Sequence, residues 1–284
     1  MSQTILITGA GSGFGEGIAF KLAELTDLSV IATTENYAQI FRLEQKAKKL
    51  NLSNITFEKL DVTSSGDREK VLEWDVDILL NNAGISEGGS VIDIPASAIE
   101  RQFQTNVVGP IALTQIAARR MLKRKSGRII FMSSVAGLTV DPFSGAYSAS
   151  KHAVEAFVEA LYKETRPFNI DVITINPGPF LTGFNDRMFE TYRGWGTAVA
   201  SRIFDYPELN FPHEQYDPQI VINETVKIIL DENPKYRNVL PKSIEGEQRK
   251  QLDSIWNRQA KDGIGQENNL VITAKKILKE TPKK

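Results

Sequence analysis

Short apolar runs separated by amphipathic stretches organise this 284-residue chain. Residues 4–8 are almost continuously apolar and run into glycines, the pattern of a strand buried on both faces of a parallel sheet. Residues 13–25 then place Ile18, Leu22 and Leu25 on one side of a helical repeat. The alternation continues, with strands expected at 28–33, 55–60, 76–80, 128–133 and 171–175. Helices are expected between them at 39–50, 95–122, 147–165 and 219–230. The helix at 39–50 closes on Lys46, Lys48 and Lys49, which suits the negative end of its dipole. Gly109-Pro110 is expected to bend the long helix at 95–122. Residues 64–73 form a polar stretch, and 238–240 read as a short final strand.

Strands alternating with helices imply a parallel sheet covered on both faces, and right-handed crossovers make it doubly wound. The expected architecture is therefore a single-domain α/β, Rossmann-like unit spanning residues 1–242. Within it, residues 180–215 are rich in aromatics, glycine and arginine without a clean period, and read as a substrate lid. An apolar stripe of this kind, with Phe180, Phe184, Phe189, Tyr192, Trp195 and Phe204, serves equally well as lid or as core. Residues 243–284 are a polar, partly helical extension, expected to pack on the same domain through Leu252, Ile255, Trp256, Leu270, Ile272 and Ile277.

Composition narrows the function. A hydrophobic content of 41% and a charged content of 24% are those of an ordinary soluble protein. With a net charge of −1, neither nucleic acid nor an anionic membrane is expected as a partner. The absence of cysteine excludes disulfides, thiolate catalysis and zinc–thiolate sites. His152 and His213 have no metal-ligand spacing, so no metal is expected. The N-terminus lacks a secretory pattern, and no run approaches the ~20 apolar residues of a membrane span, so a cytoplasmic location is expected.

Two local patterns carry chemistry. Between the first strand and first helix stands Thr8-Gly9-Ala10-Gly11-Ser12-Gly13-Phe14-Gly15. Glycines there let backbone amides approach a pyrophosphate at a helix N-terminus, the context of a dinucleotide fingerprint. Tyr147 and Lys151 lie one turn apart on one helix face, where an ammonium can lower the phenol from its usual ~10 toward the working range. Ser134 ends the fifth strand thirteen residues before Tyr147 and can share a substrate oxygen with it; that offset favours Ser134 over Ser133. At the end of the second strand, Thr34-Glu35 offers a carboxylate to a ribose. No Lys or Arg lies in the glycine loop or at this strand end, so NAD(H) is modestly preferred over NADP(H).

With these pieces the chain resembles the short-chain dehydrogenase/reductase family from about Thr4 to Thr182. The glycine loop matches T-G-x-x-x-G-x-G, Asn81-Asn82-Ala83-Gly84 matches N-N-A-G, and Tyr147 with Lys151 matches Y-x-x-x-K. The resemblance implies cofactor contacts from Gly9, Ser12, Gly13, Phe14, Gly15 and Thr34. It adds Asp61 and Val62 at the adenine, and Asn82, Ala83 and Gly84 at the adenosine ribose. Pro177, Gly178 and Thr182 are implied at the nicotinamide end, where Lys151 also bonds the ribose. It implies Ser134, Tyr147 and Lys151 as the catalytic set, and Asn106 as holder of a water that relays protons to Lys151.

The implied activity is reversible alcohol–carbonyl oxidoreduction of a small or medium hydrophobic substrate, by a homodimer or homotetramer built on the two long helices. The chain also departs from the pattern. Phe14 replaces an aliphatic residue, Thr34-Glu35 matches neither usual cofactor-selecting pattern, and the tail past about residue 240 is long. The connection from Asp61 to Asn81 is short, so its helix should be a remnant. The competing readings are a non-catalytic NAD(P)-binding redox sensor and a nucleotide-sugar epimerase or dehydratase. The intact Ser134, Tyr147 and Lys151 argue against the first, and N-N-A-G with a compact C-terminal half against the second.

Overall fold

The computed structural model describes residues 3–197 and 201–275. Seven parallel strands form one sheet: β1 (Thr4–Ile7), β2 (Ser29–Thr34), β3 (Ile55–Lys59), β4 (Ile78–Asn81), β5 (Gly127–Met132), β6 (Ile170–Pro177) and β7 (Arg237–Leu240). Their order across the sheet is β3-β2-β1-β4-β5-β6-β7. The chain thus builds outward from β1 in one direction, then returns and builds outward in the other. Ligand crevices in such sheets open at the C-terminal strand ends where the order reverses, here between β1 and β4.

Strand periodicity divides the core. Ile5 and Ile7 join one buried cluster with Ile18 and Leu22 of α1 (Gly13–Leu25) and Val221, Ile222 and Val226 of α8 (Pro218–Leu230). Leu6 points to the opposite face. There it joins Leu113 and Met121 of α5 (Gly109–Arg124) and Val154 and Val158 of α6 (Gly145–Thr165). Burial on both faces is why these strands read as unbroken apolar runs. The remaining outer helix, α2 (Tyr37–Lys49), contributes Leu43 and Ala47 and is capped by Asn36, whose side chain accepts from Gln39 N.

The expected elements are present, with ends displaced by a few residues. The connection after β3 is a remnant, α3 (Ser65–Glu69) followed by a 3₁₀ turn at Lys70–Glu73. The long helix is interrupted earlier than Gly109-Pro110: α4 (Ala96–Phe103) passes through one turn of π-helix, Gln104–Val108, before α5 begins. A wide turn releases the regular backbone pairing and redirects the side chains on it, a change invisible in hydrophobic periodicity.

The aromatic segment is mainly core. Phe180 belongs to the cluster under α1 and α8, while Phe189, Trp195, Tyr206 and Leu209 form a third cluster with Ile94, Ala98 and Phe143. Short helical turns, including α7 (Phe184–Met188), shape this segment. The tail forms α9 (Glu245–Trp256) and α10 (Asn269–Ala274); Ala274 is buried and its carbonyl accepts from Asp205 N at 2.9 Å. Leu270 packs in the third cluster, but Ile255 and Trp256 do not act as anchors: Trp256 is 88% exposed. Ile277 and part of the lid, residues 198–200, lie outside the described residues. No helix among the described residues is long and apolar enough to cross a membrane.

Candidate active site

The glycine loop sits at the C-terminal ends of β1 and β4, and the N-N-A-G turn holds it there. Thr8 Oγ1 accepts from the backbone amides of Asn82 and Ala83, each at 3.0 Å. In return Asn82 Nδ2 donates to the carbonyls of Thr8 and Gly9 at 3.0 and 3.1 Å. The two turns approach so closely that a Cβ on Gly9, whose φ is +66°, would lie 2.6 Å from Ala83 Cα. Ser12 precedes α1 without using its side chain as a cap, so the first-turn amides remain directed at the cleft.

A cleft of about 480 Å³ runs from these turns to the catalytic helix. Of the expected cofactor residues, Gly9, Ser12, Gly13, Phe14, Asp61, Val62, Asn82, Ala83, Gly84, Pro177, Gly178 and Thr182 line it, as do Ser134, Tyr147 and Lys151. Three other expected site residues do not. Thr34 is fully buried and donates to Asn36 O at 3.0 Å, leaving Glu35 and Gln39 on the wall instead. Gly15 serves packing, since a Cβ there would meet Asn82 Nδ2 and Gly9 O, both at 2.5 Å.

Asn106 is the third, buried in the π-turn. Its Oδ1 accepts from Ile85 N at 2.9 Å, and its Nδ2 donates to Ile85 O at 3.0 Å and Ser150 Oγ at 3.2 Å. Its side chain thus bridges the Ile85 backbone and Ser150 Oγ, bracing the turn that follows N-N-A-G.

A second cavity, of about 290 Å³, reaches Ser134 and Tyr147 from the other side. Its wall joins Met188, Phe189 and Phe211 to Asp141, His213, Glu247 and Gln248, so α9 and the segment after β6 both border it. Thr139 Oγ1 donates to Gln248 Oε1 at 2.7 Å, tying α9 to the loop after β5. His213 and Asp141 meet at 2.9 Å across the mouth, and the carboxylate raises the imidazole pKa. The two cavities share Ser134, Tyr147, Gly178 and Asn185.

Ser134 Oγ accepts from Ala136 N at 3.1 Å and donates to Pro177 O at 3.3 Å, which fixes the hydroxyl at the strand end. Burial pushes the Tyr147 phenol up to about 12, and the Ser134 hydroxyl offsets this in part. The expected lowering by Lys151 is not seen. Lys151 Nζ donates to Met132 O at 2.8 Å and lies 5.8 Å from the Tyr147 ring centre. Burial brings its own pKa down to about 8, opposed by the carboxylate of Glu155. Desolvation, absent from a helix-face argument, dominates both groups.

Several site residues were not visible in the sequence. Gln39 lies against Gly11, and Arg101 on the cleft wall is held by Glu87 at 2.7 Å. Arg42 reaches from α2 to donate to Gly11 O at 2.6 Å, although no cation was expected near the loop. Its charge is paired with Glu16 at 2.7 Å, and Lys46 joins the same carboxylate at 2.8 Å. No local pattern marks these residues.

The fold and cleft define a Rossmann-like oxidoreductase site, with a nucleotide-type glycine loop leading to a Ser-Tyr-Lys set. The sequence model of the short chain dehydrogenase family matches residues 3–193, and the chain belongs to this family of oxidoreductases. It is 34% identical to "Uncharacterized oxidoreductase YusZ" of Bacillus subtilis over 76% of this chain and 75% of that one. It is 32% identical to a 3-ketodihydrosphingosine reductase of Bacteroides thetaiotaomicron, over 83% and 86% of the two chains. A short chain dehydrogenase/reductase from Burkholderia phymatum, solved in complex with NAD, shares the fold with a TM-score of 0.76 at 24% identity, over 92% and 97% of the chains.

Proposed function

We propose that this protein interconverts a secondary alcohol and a ketone, or an aldehyde and alcohol, of small or medium size and hydrophobic character, using a nicotinamide dinucleotide. The observation that carries this reading is the position of Ser134 and Tyr147 at the junction of the glycine-loop cleft and a second cavity walled in part by Met188, Phe189 and Phe211. The uncapped first turn of α1 and the close glycine turn fit a pyrophosphate, while Asp61, Ala83 and Gly84 fit the adenosine half. When bound, the nicotinamide supplies or removes hydride.

The chain's residues manage position and protons. Ser134 Oγ holds the reacting oxygen, and Tyr147 Oη gives it a proton on reduction or takes one on oxidation. Lys151, charged below about 8, favours the phenolate once it turns from Met132 O toward the phenol and the ribose. Met188, Phe189 and Phe211 exclude water around an apolar substrate body. Exposed Val108 and Phe157, on the π-turn and α6, suit assembly into a homodimer or homotetramer. A redox sensor is not favoured, because binding alone has no use for a phenol, hydroxyl and ammonium converging beside a second cavity. Following reduced-nicotinamide absorbance over a panel of apolar ketones tests the proposal. Tight cofactor binding with no turnover of any carbonyl would defeat it.

Cofactor choice follows from Glu35 and Glu16. Glu35 on the cleft wall disfavours a 2′-phosphate, and Glu16 keeps Arg42 and Lys46 neutralised beside Gly11. Both cations are about half exposed, so the effect of freeing them is screened. Glu16→Gln is expected to tighten NADPH relative to NADH by about three- to tenfold. Equilibrium titration of cofactor fluorescence measures it, and an unchanged ratio would remove Glu16 from cofactor selection.

A further inference from the structure

Lys151 is 6% exposed, and its ammonium is bonded to a neutral carbonyl, that of Met132. A buried charge needs more than one neutral acceptor to persist at working pH. One helical turn further along α6 stands Glu155, 7% exposed and on the same side of the helix. Its two oxygens are fully committed. Oε1 accepts from Asn176 Nδ2 at 2.6 Å, and Oε2 accepts from Arg237 at 2.7 Å.

Asn176 is itself completely buried at the end of β6, and its Nδ2 also donates to the backbone carbonyl of Ser134 at 3.1 Å. Thr174 Oγ1 donates to its Oδ1 at 3.1 Å, which fixes the amide orientation. One carboxylate is thus held from β6 and β7, stands one helical turn from the lysine, and is tied through one amide to the catalytic serine's main chain. Nothing in the alcohol–carbonyl mechanism above uses it.

We propose that Glu155 is a positioning residue for the Ser134-Tyr147-Lys151 set: its charge keeps Lys151 protonated, and its bond to Asn176 holds the Ser134 backbone. This rests on the reading of Lys151 as the ammonium that serves Tyr147. The charged and titratable groups around this locus are Tyr147 and Glu159 on α6, Tyr236 just before β7, and Arg237 in β7. Arg237 bonds the other carboxylate oxygen from the one that Asn176 uses, so the two links do not compete for one atom. Burial leaves Lys151 easy to deprotonate and Glu155 opposes that loss, so removing the charge lets the lysine titrate at lower pH.

Glu155→Gln keeps one acceptor, which can serve Asn176, and removes the charge together with the acceptor facing Arg237. For carbonyl reduction, which needs a protonated phenol and a charged lysine, the alkaline fall of kcat/KM should move down by about one pH unit. The plateau below that fall should stay within about threefold of wild type. Glu155→Asp restores charge and should return the midpoint toward wild type, whereas Glu155→Ala also breaks the Asn176 link and should lower the plateau itself. A purely structural role would lower the profile without moving its midpoint.

Titration of ε-carbon-labelled lysines by NMR, with Lys151→Arg as the assignment control, reads the same midpoint without substrate. If no carbonyl is turned over but the Lys151 midpoint falls in Glu155→Gln, the activity reading fails and the electrostatic role stands. A Lys151 midpoint unchanged within 0.2 unit, roughly 0.3 kcal/mol, would overturn the inference.

Discussion

Tyr147→Phe is expected to lower kcat for alcohol oxidation and carbonyl reduction by about 10²–10⁴-fold, the usual worth of a positioned acid–base group. The ring remains where it packs, 5.7 Å from that of Phe184, so folding should be unaffected. Dinucleotide affinity should change by less than about threefold, because the glycine loop and the N-N-A-G turn do not depend on the hydroxyl. The wild-type pH profile follows from the same site. With the phenol held near 12 and Lys151 near 8, the free enzyme at neutral pH carries a protonated tyrosine and a charged lysine, the state that reduction requires. Reduction should therefore be level below about 8 and decline above it as Lys151 loses its proton. Wild-type turnover in Tyr147→Phe, measured by reduced-nicotinamide absorbance, would remove Tyr147 from the mechanism.

Gly9→Val should have the largest effect on stability. The position has a φ of +66°, where a side chain is strained, and its Cβ would stand 2.6 Å from Ala83 Cα and 3.0 Å from Ala83 N. Those are backbone atoms, and Thr8 Oγ1 and Asn82 Nδ2 pin the turn that carries them. The clash cannot be relieved by one rotamer change. A loss of about 3 kcal/mol is expected, which for a chain of this size lowers Tm by about 6–12 °C. Cofactor binding should fall with it, because the loop and the N-N-A-G turn must separate. Gly66→Ala is the control: nothing lies within 4 Å of its Cβ, and its melting temperature should stay within about 2 °C of wild type. Calorimetry of the pair decides the matter; a Gly9→Val protein melting with wild type would show that the loop is not clamped.

Most of the strand and helix pattern was legible because each strand is buried on both faces and each helix on one, so periodicity and apolar runs report directly on the sheet. The parts that were misread obey other physics. The interruption at Gln104–Val108 has no breaker of its own, and the π-turn places it ahead of Gly109-Pro110. The aromatic segment was ambiguous because an apolar side chain carries no record of what covers it. Phe180 and Trp195 proved to be core, while Phe184 packs on Tyr147. Trp256 was read as an anchor because it is one of the few apolar residues in a polar segment, yet the tail leaves it exposed.

By itself the sequence determined the doubly wound fold, the glycine loop and the placement of Tyr147 and Lys151 on one helix face, since these depend on spacing along single elements. Only the tertiary structure decided how those groups are tuned. Desolvation raises the Tyr147 phenol and lowers the Lys151 ammonium, and neither effect exists until the helix is packed on β5 and β6. The same packing brings Asn176 and Arg237 to Glu155, and Arg42 to Gly11, from elements far apart in the chain. Local spacing names the reacting groups, whereas their charge states are set by neighbours that only folding assembles.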